Sequence, residues 1–277
     1  LLRLAKLTNQ LCRHLGRVLE ILEASLQETD SFVYTTAIRA LSSLGDVHPR
    51  TVVPILCRHY ELANNSDHPN SSNACHVAPA DTTSTTSSAA PPMTERPGKR
   101  SARLPAGTLS EETRLKLGEA LVQVAQRCGE TLPEHAAPMM NSMLRVLRQR
   151  NASPLVRASA LSHLGTMAEL MRFALHPWLR ELLGAVFAFS SSPAESHSEV
   201  RRAALYFLSL LVRGLGTDIC AAMPDEIRAL VRQLRRVRAS DPDELVQAHA
   251  EHTIELLRDA AKALVEPTLG GDDDGLV

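Results

Sequence analysis

Residues 153–165 read SPLVRASALSHLG, and nearly the same phrase returns as HSEVRRAALYFLS at 197–209 and EETRLKLGEALVQ at 111–123. Each copy holds an arginine at one point. Arg114, Arg157 and Arg201 are separated by 43 and 44 residues, the period of HEAT-like helical pairs. Two fainter copies flank them: DELVQAHAEHTIELL puts Gln247 at the arginine's place 46 residues on, and DSFVYTTAIRALSSL puts Tyr34 there near the start.

Within each phrase the apolar residues recur at three- and four-residue steps, as in Val156, Ala160, Leu161, Leu164, Met167 and Ala168. That spacing gathers them on one broad helical face. A helical pair on its own leaves such a face open to water, so the next pair is expected to cover it. Small residues (Ala37, Ala160, Ala204) let the neighbouring helix come close. Each well-buried Leu or Val contributes about 1.5–3 kcal/mol.

A proline follows each phrase. Pro49, Pro133, Pro177 and Pro224 stand 15, 19, 20 and 23 residues after Tyr34, Arg114, Arg157 and Arg201. Proline disfavours helix in the residue before it and suits a first turn, so each is expected to divide a helix A from a helix B. Paired prolines in PRTVVP (Pro49, Pro54) and PEHAAP (Pro133, Pro138) predict a short turn before helix B proper. Gly129, Gly214 and Gly216 stand where a preceding helix can end. The fold class is therefore all-α, a HEAT/ARM-like α-solenoid of about five helical hairpins. The A helices are expected near 31–44, 111–128, 154–171, 196–213 and 243–258. The B helices are expected near 50–62, 134–149, 177–190 and 224–238, and one further helix over 4–26 is the second half of a unit begun upstream. Arg114, Arg157 and Arg201 are expected to form a structural ladder between repeats with acidic or amide groups near the A-helix starts, such as Asp30, Asn151 or Asp241.

From Tyr34 to Arg114 is 80 residues, nearly twice the period, with no helical phrase between. The intervening 64–107 is rich in Ser, Thr, Asn and Pro and poor in large apolar residues, a composition that cannot offset its ordering entropy by burial. The chain thus divides into 1–63, a helix plus the first unit; 64–107, an inserted disordered polar loop; 108–262, the remaining units; and 263–277, an acidic flexible tail. The loop's RPGKRSAR (Arg96, Lys99, Arg100, Arg103) is a weak match to basic nuclear-import tracts, and ordinary solvation is the favoured reading. The tail's GGDDDGLV is a solvated end, because three aspartates on flexible chain do not hold Mg²⁺ in octahedral geometry.

Composition narrows the function. The chain has 277 residues, 44% hydrophobic and only 3% aromatic, with 30 basic and 31 acidic residues for a net charge of −1. It lacks the cationic excess that a phosphate backbone demands, so no nucleic acid is expected as a partner. Apolar runs such as AALYFLSLLV are shorter than the roughly 20 residues that span a bilayer, so no membrane span is expected in this region. Five scattered cysteines without a CxxC read as reduced thiols rather than a disulfide framework. The chain opens in helical pattern without an initiator methionine, which reads as a region of a longer protein.

No catalytic, cofactor-binding or metal-ligating set emerges, and no enzyme activity is expected. There is no GxGxxG, GxxxxGK[ST] or GxSxG. Cys57 with His59, and Cys75 with His76, lack the second pair that a zinc site needs. His249 and His252 are three apart, whereas HExxH requires four. One surface feature stands out in DEIRALVRQLRRVR: Arg228, Arg232, Arg235 and Arg236 fall at i, i+4, i+7 and i+8. They form a cationic stripe while Ile227, Leu230, Val231 and Leu234 turn inward. The stripe is a candidate protein-binding site for an acidic partner segment, or else a solvated outer face; in HEAT-type stacks the B helices line the concave side.

Four stretches carry a family resemblance: DSFVYTTAIRALSSLGDVHPRTVVPILCRHY (30–60), RLKLGEALVQVAQRCGETLP (114–133), PLVRASALSHLGTMAELMRF (154–173) and EVRRAALYFLSLLVRGLG (199–216). Together they resemble the family required for nuclear transport of RNA polymerase II, whose animal members are called Transport and Golgi organization protein six homologues. The resemblance covers most of 10–260 and implies the C-terminal part of a large HEAT-repeat protein, cytoplasmic and shuttling to the nucleus. It implies a scaffold or adaptor that assists assembly and nuclear import of RNA polymerase II by contacts with polymerase subunits, assembly chaperones or nuclear pore components. A role in secretory-pathway traffic and Golgi organisation is the alternative. The family carries no catalytic residues to transfer to this chain.

Overall fold

A computed structural model describes residues 2–62, 110–191 and 195–265, with side chains from His14 onward. The inserted 64–107, with its basic tract, Cys75 and His76, lies outside the described residues. So do the side chain of Cys12 and the residues from 266 on. Every described element is helical. The two stretches flanking the insertion form one unit, Leu1–Asn64 with Leu109–Val277.

The A helices are α2 (Ser31–Val47), α4 (Glu111–Cys128), α6 (Pro154–Met171), α8 (Ser198–Leu215) and α11 (Glu244–Val265). The B helices are α3 (Pro49–Leu62), α5 (Leu132–Arg148), α7 (Leu179–Phe189) and α10 (Pro224–Ser240), and α1 spans Leu2–Leu26. The A-helix starts are set by local chemistry. Asp30, Ser110 and Ser153 accept a hydrogen bond from the backbone N–H of Phe32, Thr113 and Val156, satisfying donors that a first turn leaves orphaned. Their ends share a second device. The residue 15 positions after each arginine has positive φ: Gly129 at +52°, Arg172 at +45° and Gly216 at +56°.

Three expectations are corrected. Pro54 and Pro138 lie inside α3 and α5, with no turn between the paired prolines; a 3-10 turn, Gly129–Thr131, comes ahead of both in the α4–α5 unit. Each falls early in its helix, and the carbonyl it leaves without a helical donor belongs to an exposed residue, Arg50 or Glu134. Gly214 lies inside α8 rather than at its end; a Cβ there would sit 3.1 Å from the Ala168 carbonyl oxygen, so the glycine permits close approach to α6. The stretch after α6 is a 3-10 segment, Arg172–Trp178, before α7 begins, and a short helix α9 (Thr217–Ala222) follows α8. Helix α11 continues to Val265, into the segment read as tail.

Packing follows chain order. Consecutive A helices touch, α2 with α4, α4 with α6, α6 with α8 and α8 with α11, and B helices lie against the next A helix, as α5 on α6 and α10 on α11. The residues 4, 8 and 11 positions after the arginine site lie on one side of each A helix. They are Ile38, Ser42 and Gly45 in α2; Gly118, Val122 and Ala125 in α4; Leu161, Gly165 and Ala168 in α6; Leu205, Ser209 and Val212 in α8; and all are buried. A Cβ on Gly45 would come within 2.5 Å of Val124, one on Gly118 within 2.7 Å of the His163 ring, and one on Gly165 within 2.7 Å of Leu210. In α11 the same three positions are Glu251, Glu255 and Arg258, partly or fully exposed.

Candidate protein-binding surface

The repeated arginine is the fourth residue of its A helix, and its side chain joins the segment that precedes its own helix to the turn before the next A helix. Arg201 donates from Nε and Nη2 to both carboxylate oxygens of Asp241, at 2.8 and 2.9 Å, and from Nη1 to the carbonyls of Glu195 and Ser196 at 3.1 and 3.0 Å. Both side chains are buried, 2% and 1% exposed. Arg157 donates to Glu195 at 3.2 Å and to the Arg150 carbonyl at 3.1 Å. Arg114 donates to the Tyr60 carbonyl at 3.0 Å and to the Gln149 side chain. Gln247, at the arginine's place in α11, makes the backward half of the pattern by donating to the Asp241 carbonyl at 2.7 Å.

Of the partners expected from the sequence, Asp241 meets Arg201, whereas Asp30 caps α2. Arg157 takes Glu195, which stands in the turn ahead of α8. Burial alone would raise the Glu195 carboxyl. The N–H and ring of His197, with the Arg157 charge, outweigh it and hold the group below its ordinary range. Arg114 is shifted down, chiefly by burial, against the opposing pull of Tyr60 and Glu111. These arginines are held inside the packing and are not offered to a partner.

The stripe on α10 is the reverse case. Ile227, Leu230 and Leu234 are buried and Val231 packs on the core, which leaves Arg228, Arg232, Arg235 and Arg236 exposed on the opposite side. Arg228 pairs with Asp225 of its own first turn at 2.9 Å. Arg232, Arg235 and Arg236 make no ion pair among the described residues.

That isolation contrasts with the other B helices, a pattern not legible in the sequence because the partners lie in different units. Glu61 of α3 pairs with Arg145 of α5 at 2.9 Å, Arg148 of α5 pairs with Glu181 of α7, and Arg180 of α7 pairs with Glu226 of α10 at 2.8 Å. Arg50 and Glu134 stand 4.0 Å apart at the α3–α5 start. Exposed pairs of this kind contribute only about 0–1 kcal/mol each, so their value is in aligning neighbours. On α10, Arg232, Arg235 and Arg236 have no such pair among the described residues. A planar guanidinium binds carboxylates in bidentate fashion and remains charged at any physiological pH.

Among the described residues no group of three His, Cys, Asp or Glu lies close enough to hold a metal ion. Cys57 is buried, and that burial pushes its thiol up to about 12. Nδ1 of His59 lies 2.8 Å from Glu23 instead of near Cys57. Cys128 and Cys220 are likewise buried free thiols raised by burial. No described helix is long and apolar enough to cross a membrane.

No solved structure gives a significant match to the chain. Residues 1–131, from α1 through the end of α4 and the inserted segment, match the family described as Required for nuclear transport of RNA pol II C-terminus 1. The match includes Arg114 and the first of the forward helix contacts, and through it residues 1–131 are identified with that family.

Proposed function

We propose that this chain is a non-enzymatic HEAT/ARM-like α-solenoid, a scaffold or adaptor that assists assembly and nuclear import of RNA polymerase II through protein–protein contacts. The family's description supplies the process. The order of helix contacts supports the repeat architecture: each A helix presents small and apolar side chains forward and receives the next. Such arrays offer side chains along one edge to an extended partner surface.

The observation that carries the binding role is the row Arg228, Arg232, Arg235 and Arg236, exposed on α10, the last three without an ion pair among the described residues, whereas Arg145, Arg148 and Arg180 of the preceding B helices pair with glutamates. An acidic segment of a polymerase subunit, an assembly chaperone or a pore component is the partner it suits, in the cytoplasm and on the way to the nucleus. Purified RNA polymerase II subunits incubated with the chain and separated by gel filtration test this. Co-elution that is lost on R232E/R235E/R236E, with thermal unfolding unchanged, is the expected result. Co-elution indifferent to the charge reversal, or retention of vesicle-coat components instead of polymerase subunits, contradicts it.

A further inference from the structure

The side chains at the arginine site share one habit. Each donates to a backbone carbonyl of the segment that precedes its own A helix: Arg114 to Tyr60, Arg157 to Arg150, Arg201 to Glu195 and Ser196, and Gln247 to Asp241. In α2 the site holds Tyr34, a side chain with a single donor.

The carbonyls ahead of α2 are nevertheless taken, by a residue of the next A helix. Lys116 of α4 donates from Nζ to the Leu26 carbonyl at 3.2 Å and to the Glu28 carbonyl at 2.9 Å, 90 and 88 positions back in the chain. The same ammonium stands 2.7 Å from Oε1 of Glu112, one turn earlier on α4. It also lies 4.0 Å from the centre of the Tyr34 ring, within the range of a cation–π contact. Only 8% of Lys116 is exposed.

Position, chemistry and acceptors each single out this lysine. It stands two residues after the arginine site, where the other A helices carry Thr36, Ser159, Ala203 and His249. A lysine is present there only in the helix that follows the unit without an arginine. Its compact ammonium, on a slim four-carbon stem, reaches a neighbouring helix and turns three N–H groups to three acceptors. Leu26 is the last residue of α1, and Gln27 and Glu28 leave the helix bonded to Ala24 and Ser25. The final carbonyls of α1 lack helical donors, and a cation at that end also suits the helix dipole.

We infer that Lys116 is the ladder cation of the first unit, delivered by α4 in place of α2, and that it acts as a clasp making the docking of α1 conditional on α4. Helix α1 lies against α2 with Leu15, Leu19 and Leu26 buried, and it also touches α4. With its last carbonyls stripped of their donor, the final turn of α1 frays and that leucine row loosens with it. The clasp joins the first and last helices of the stretch 1–131 that carries the family match. It is independent of the α10 surface.

Hydrogen exchange on the full chain, combined with a relocation of the cation, tests the clasp. K116M keeps the bulk of the stem and removes the donors, so amides over residues 14–26 should exchange about tenfold faster or more, with those of Glu244–Val265 unchanged. Y34R alone sets a second cation against Lys116 and should also speed exchange in α1. In Y34R/K116M an arginine stands at the ladder site with the carbonyls free, and α1 should return to within about threefold of native protection. Exchange in α1 that K116M leaves unchanged would overturn the clasp. A folded Y34R/K116M chain no better protected than K116M would overturn it too, because the cation would then not be serving those carbonyls. Loss spread equally over α1 and α11 contradicts it as well, since Lys116 would then support the whole core. Should K116M not fold, Y34R/K116M decides alone: native protection of α1 upholds the inference, and an unfolded chain removes it.

Discussion

Arg201 and Asp241 form a bidentate pair almost wholly removed from water, at the junction of two turns. Two desolvated charges are tolerable only while each satisfies the other, and removing one strands its partner at a cost of about 3–5 kcal/mol. Arg201→Met is therefore expected to lower the unfolding free energy by that amount in urea titration. Pairing it with Asp241→Leu should recover part of the loss, since no buried carboxylate then remains unmatched. Arg172 presents the opposite opportunity. It occupies the positive-φ position that Gly129 and Gly216 fill in the neighbouring units, a conformation that costs a residue with a Cβ about 1–3 kcal/mol. Arg172→Gly should raise stability by about 1 kcal/mol, net of glycine's greater entropy loss, readable as an increase in Tm.

At the scale of helices, the contact between α4 and α6 depends on Gly118 giving room to His163. The imidazole is mostly buried, and neither its Nδ1 nor the Tyr60 hydroxyl beside it has a hydrogen-bond partner. Burial, opposed by Glu119 at 3.9 Å from Nε2, lowers the His163 pKa to about 4. Above about pH 6.5 the group is neutral folded or unfolded and pH has no hold on it. Between there and about 4 only the unfolded chain binds the proton, so stability falls as the pH drops, by about 3 kcal/mol in all, and levels off below. Denaturant midpoints from pH 7 to pH 4 should show this fall, and His163→Leu should flatten it. Gly118→Ala forces the ring aside and is expected to destabilise by about 1–3 kcal/mol.

The helices themselves were legible, because a 43–44 residue period and the prolines after each phrase fix where A and B helices begin. Pro54 and Pro138 misled, since sequence does not reveal that the carbonyls they leave bare face water. The 3-10 segment 172–178 and α9 escaped notice: GTDICAA is too short to express a 3.6-residue period. The exposed row on α10 follows from its i, i+4, i+7, i+8 spacing alone. Glu195 as the partner of Arg157 could not be found that way, nor could the glutamates that occupy Arg145, Arg148 and Arg180, because these pairings link residues 33 to 84 positions apart.

For the molecule as a whole, the central claim of the proposed solenoid is that each A helix is left open on its forward face until the next unit covers it. Hydrogen exchange on a chain ending at His197, and so lacking α8 to α11, tests this most directly. With Leu161, Gly165 and Ala168 uncovered, the amides of Pro154–Met171 should exchange at least about tenfold faster than in the intact chain, while those of α2 and α4 keep their protection. Unchanged protection across α6, or an equal loss in α2, α4 and α6 together as in one cooperative core, would contradict it.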